Sequence, residues 1–237
     1  MSTGWVRRAT EVVVSSLADR VERDHRQPDR QFRRRRVVVL ITLVAGAALL
    51  GVSLSVRPGD ALFYLLTALV AAVWTGGALV SGPLHLGWAA PHGRPRRPIV
   101  VPIVTGLLIG AVFVAGSLVV REIPALRDLV TSVLAHARYG SILPIVAVTL
   151  VNGVAEEVFF RGALFAAIGR RRPVLISTVI YAAATLATAN VMLVFAALVL
   201  GLLLGLQRRA SGGILAPILT HVTWSTTMLF ALPALIR

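Results

Sequence analysis

The sequence predicts an all-α, polytopic membrane protein of about seven transmembrane helices. Three observations predict this class. The chain is 57% hydrophobic and only 14% charged, too apolar for a soluble domain of this length. Several apolar runs approach the roughly 20 residues that a helix needs to cross a bilayer. No alternating pattern of barrel strands is visible, and in lipid only helices and closed barrels satisfy their own backbone hydrogen bonds.

In chain order, residues 1–36 form a basic tail that holds ten arginines. Val6, Val13, Leu17 and Val21 fall near one helical face, so the tail reads either as an amphipathic helix on an anionic surface or as a solvated topology signal. Arg33–Arg36 abut the first apolar run, which begins at Val37. That run is as long as a true span and no small-residue cleavage pattern follows it, so it reads as a retained helix. Expected spans are 37–56, 61–80, 99–120, 141–169, 173–189, 191–207 and 212–233. Pro58-Gly59-Asp60 is a tight turn, and 81–98 is a loop rich in Gly, Pro and Arg that holds His85, Trp88 and His92. Residues 121–140 read as an interfacial helix, with Leu126, Leu129, Val130 and Val133 apolar and Arg127, Asp128 and Arg138 polar. Asn190 marks a tight connection, and Ser211-Gly212-Gly213 is a turn before the last span. Gly76 and Gly77, Gly106 with Gly110, and Gly201 with Gly205 suggest close helix packing. The chain thus divides into the tail (1–36), membrane helices with an interfacial segment (37–140) and a polar-bearing helical core (141–237).

All 24 basic residues are arginine, and the net charge is +14. In such a chain this is a topology signal rather than a nucleic-acid signature. With the N-terminus in the cytoplasm, alternating spans leave nineteen arginines inside and five outside, among the latter Arg57, Arg121 and Arg237. A cytoplasmic N-terminus is therefore expected; the retained basic tail and the absence of organelle signals fit a plasma membrane, with lipids as partners and no nucleic acid. Cysteine is absent, which excludes disulfides, thiolate nucleophiles and Cys-bound zinc.

Glu156 and Glu157 are the only acidic residues inside an expected span. A carboxylate within a membrane is costly and marks a paired or working group. Measured from the cytoplasmic arginines, Glu156 is about 21 Å deep and His221 about 18 Å. This places a carboxylate and an imidazole at one level, a sensible acid–base pair. Asn152, at i−4, is a candidate hydrogen-bond partner for Glu156. Ser225, at i+4 from His221, is a candidate second oxyanion donor. Glu157 points about 100° away and is spaced to pair with Arg161. That pair also reads as purely structural, and His221 as a packing histidine. There is no His-x-x-x-His pair or other dense ligand set, so no metal or cofactor is expected.

The string Glu156-Glu157-Val158-Phe159-Phe160-Arg161 resembles the EExxxR motif of the CPBP family, the CAAX-prenyl-protease and bacteriocin-processing intramembrane proteins. Gly201 to Gly205, Ser211 to Ile218 and His221 are similar to that family's closing region, and the resemblance covers about residues 143–230. It implies a glutamate-type intramembrane endopeptidase, with Glu156 activating water, Glu157 and Arg161 supporting it, and His221 in the oxyanion site. Two positions depart. The second motif, F-x-x-x-H, is here Tyr181-Ala182-Ala183-Ala184-Thr185, about 20 Å deep, so threonine replaces the imidazole. The third, H-x-x-x-N, has Ser225 in place of asparagine. Two further functions stay open beside the peptidase acting on a membrane-bound protein or peptide. One is a catalytically impaired scaffold or immunity protein that binds membrane-protein segments. The other is a small transporter with Glu156 as its proton site.

Overall fold

The computed structural model describes residues 11, 14–18, 27–89, 96–139 and 141–236. Val6, Val13 and Val21 of the tail, together with His92, Arg94 and Arg237, lie outside these residues. The helices are α1 (Asp29–Ser55), α2 (Ala61–Ser81), α3 (Val100–Val120), α4 (Pro124–Arg138) and α5 (Ile142–Glu157). A π-helical segment (Val158–Leu164) runs on into α6 (Phe165–Ile168), followed by α7 (Pro173–Thr185), a 3-10 turn (Leu186–Thr188), α8 (Val191–Ser211) and α9 (Leu215–Leu235). Six of these stretches are long and apolar enough to cross a membrane, with Ile142–Ile168 counted as one, and Pro173–Thr188 is a shorter apolar helix. The expected polytopic all-α class and its roughly seven helices are what the structure has.

Element ends follow local chemistry. Gly59 turns with φ +89°, and Asp60 caps α2 by accepting from the Leu62 amide at 2.8 Å. The Asn190 side chain accepts from the Met192 and Leu193 amides at 3.0 and 3.3 Å, capping α8, and donates to Leu129 O at 2.7 Å, tying α8 to α4. The first turn of α9 has no side-chain cap. The extended 85–88 segment supplies its acceptors instead: Ile214 N donates to His85 O at 2.9 Å and Leu215 N to Leu86 O at 3.0 Å. The α1 helix begins at Asp29, so Arg33–Arg36 are helical and not part of an extended tail. Two of their side chains reach backbone acceptors: Arg36 Nε donates to Ala167 O at 3.1 Å and Arg35 Nη2 to Pro83 O at 3.3 Å.

Three helix pairs dominate the packing: α1 on α2, α7 on α8, and α3 on α9. Small residues bring each pair close. A Cβ on Gly77 would collide with Thr42, one on Gly106 with Thr220 and Thr223, and one on Gly201 with Thr178. Gly110 and Gly205 are nearly as tight, against Thr227 and Val174, whereas Gly76 faces open space. The α5 helix lies between α2 and α9. Below its C-terminal end an aromatic cluster forms, with Trp74 4.5 Å from Phe159 and Phe160 4.6 Å from Tyr181, ring centre to ring centre. This cluster is the floor on which the polar residues rest.

Candidate active site

The α5 helix ends on the two glutamates, and their environments differ. Glu157 is 0% exposed and Arg161 1% exposed. The i,i+4 spacing puts Arg161 Nη1 2.9 Å from Glu157 Oε1, as the sequence predicts. His221, from α9, donates from Nδ1 to the same oxygen at 2.7 Å. A carboxylate only accepts, so this bond fixes the proton on Nδ1 and leaves Nε2 as the ring's free nitrogen. Glu157 Oε2 and Arg161 Nη2 have no hydrogen-bond partner among the described residues. Removing one member of a buried ion pair leaves the other charge uncompensated, at about 3–5 kcal/mol.

Glu156 is half-buried and faces the other way. Its Oε2 accepts a hydrogen bond from the Tyr181 hydroxyl of α7 at 2.5 Å. The face of the same tyrosine ring carries the Arg161 guanidinium, 4.8 Å from the ring centre. Tyr181 therefore joins the two halves of the site, holding the half-buried carboxylate with its hydroxyl and the buried cation with its ring.

The i,i+4 spacing carried the Glu157–Arg161 pair into the structure, but two other expected contacts are corrected. His221 bonds Glu157, not Glu156: consecutive helical residues differ by only about 1.5 Å in depth, so level alone does not choose between them. Asn152 does not donate to Glu156; its Nδ2 donates to Val148 O at 2.9 Å and to Thr67 O of α2 at 3.2 Å, carbonyls closer to hand. Thr185 turns its hydroxyl onto its own helix, donating to Tyr181 O at 2.9 Å, the usual i−4 back-bond of a helical threonine. Ser225 lies half-buried one turn beyond His221.

Two features escaped the sequence reading. Tyr181 was visible only as the residue standing where the second motif has phenylalanine, and its added hydroxyl was the available signal. The π segment left no signal at all, because Val158–Leu164 continues an apolar helical run. It begins directly after Glu157, where π geometry often marks functional sites. Arg208 of α8 supports it by donating from Nε to Arg161 O at 2.7 Å.

Residues 138–227 match the family model described as Type II CAAX prenyl endopeptidase Rce1-like. No curated protein and no solved structure matches the chain. The matched stretch runs from the end of α4 through most of α9 and contains both glutamates, Arg161, Tyr181, Thr185, His221 and Ser225. Over residues 138–227, this match supports the resemblance to the CPBP family of intramembrane proteases.

Proposed function

We propose that the chain is a glutamate-dependent intramembrane endopeptidase that cleaves a membrane-associated protein or peptide. The observation that carries this reading is the asymmetry of the pair. Glu156 is half-buried and held by a hydroxyl, while Glu157 is sealed against Arg161 and His221. Glu156 takes a proton from water as the water oxygen bonds the scissile carbonyl carbon. It then returns that proton to the departing amine as the C–N bond breaks. His221, oriented through Nδ1, offers Nε2 to the tetrahedral intermediate and donates to its oxyanion in the imidazolium form. Arg161 balances the Glu157 charge. Tyr181 positions the Glu156 carboxylate, a task for which the second-motif imidazole is missing. Ser225, one turn past His221, is the remaining candidate donor. The arginine asymmetry supports a plasma-membrane location with the N-terminus cytoplasmic.

A scaffold reading keeps one observation of its own: Thr185 is satisfied by its own helix and brings no imidazole toward Glu156. The two readings separate by mapping new protein N-termini in membranes that contain the wild-type chain or Glu156→Gln. The peptidase reading expects cleavage products that vanish in the variant. Identical N-termini in both membranes, with partner capture unchanged, would leave the scaffold reading standing.

A further inference from the structure

We propose that the chain has a phosphate-binding pocket, separate from the glutamate site, that takes the headgroup of an anionic phospholipid. The pocket lies where the start of α1 meets the 82–87 segment and the π segment, and Phe32, Arg35, Pro83, Leu84, Gly162 and Arg208 line it. Arg35 is the informative member. It is 1% exposed, yet its Nε and Nη1 have no hydrogen-bond partner among the described residues. Its one hydrogen bond among them runs from Nη2 to Pro83 O at 3.3 Å. The ion pairs among the described residues use Arg121, Arg127, Arg161 and His221, and none involves Arg35. The described lining of the pocket contains no carboxylate.

The fold makes room for this cation. Gly82 packs directly on the guanidinium at φ +142°, and a Cβ there would lie 3.0 Å from Arg35 Cζ. A buried guanidinium with unfilled donors and no counter-charge is a costly arrangement that an anion relieves. Arg208 adds a second guanidinium to the wall. The position selects the class of anion. Arg35 sits two residues before the apolar run that starts at Val37, the level at which a helix leaves the hydrocarbon for the headgroups. Basic pockets between membrane helices at that level suit phosphodiester headgroups.

The test uses the full chain. Its Tm is read in phosphatidylcholine nanodiscs, in discs containing phosphatidylglycerol, and in neutral detergent titrated with inorganic phosphate. Phosphatidylglycerol is expected to raise the Tm by about 5 °C or more near saturation. Arg35→Gln should remove the rise. Ala166 of α6 also lines the pocket, and Ala166→Leu, which fills it without removing charge, should remove the rise as well and decides the matter if Arg35→Gln does not fold. A rise with inorganic phosphate alone would identify the free anion, not the lipid, as the occupant and overturn the headgroup assignment. No rise with either anion, or an equal rise in wild type and both variants, would overturn the pocket altogether and leave only diffuse attraction to the basic tail.

Discussion

Glu156 and Glu157 share a helix and a sequence context, yet their surroundings differ at every point. The Glu157 side is closed: a carboxylate at 0% exposure, an arginine one turn on and an imidazole from α9 meet at one oxygen. The Glu156 side is the more open one: the residue is half-buried, and one tyrosine hydroxyl from α7 holds it. On the proposed reading, a rotation of about 100° per residue gives one glutamate a structural task and the other a chemical one. The closed side also gives the open side its geometry, because Arg161 packs on the ring whose hydroxyl reaches Glu156. Stability and activity should therefore separate by residue number.

The largest break in this comparison is Glu157→Gln. It removes the charge partner of a fully buried arginine and should lower stability by about 3–5 kcal/mol, read as early unfolding in detergent. A variant as stable as wild type would place Arg161 in contact with water. The next effect sharpens the open side. Thr185→His restores an imidazole one turn from Tyr181, on the face that meets Glu156. Cleavage should rise at least about 10²-fold, measured as product per unit time on a membrane substrate. Tyr181→Phe is smaller. Losing the hydroxyl frees the Glu156 carboxylate and should lower cleavage roughly tenfold and stability by about 1.5–3 kcal/mol, the worth of one hydrogen bond to a charged group, with the closed network kept. The smallest is Asn152→Ala. It loses the tie to Thr67 O, should cost about 1 kcal/mol of stability and should leave cleavage intact, because Asn152 does not touch Glu156.

Much of the fold was legible because membrane helices are written in composition and length. The tight turns at Gly59 and Asn190 were legible because glycine allows the positive φ of the first and the asparagine side chain caps the helix after the second. The glycine contacts were legible in kind but not in direction: Gly77 is pressed on Thr42 while its neighbour Gly76 faces nothing. The same limit acted at the site. Spacing within one helix found Glu157–Arg161. Depth across two helices brought His221 to the right layer and the wrong glutamate, because azimuth depends on packing angles that no single run encodes. The π segment was illegible for another reason: its hydrogen-bond shift leaves the apolar periodicity of Val158–Leu164 unmarked.

The most direct measurement sets Glu156→Gln against Glu157→Gln in one experiment, reading product formation and Tm together in the same nanodiscs. The account predicts that Glu156→Gln loses at least 10²-fold in cleavage at an unchanged Tm, while Glu157→Gln loses stability. A Glu156→Gln protein that still cleaves, or that unfolds as readily as Glu157→Gln, would contradict the division of labour between the two glutamates.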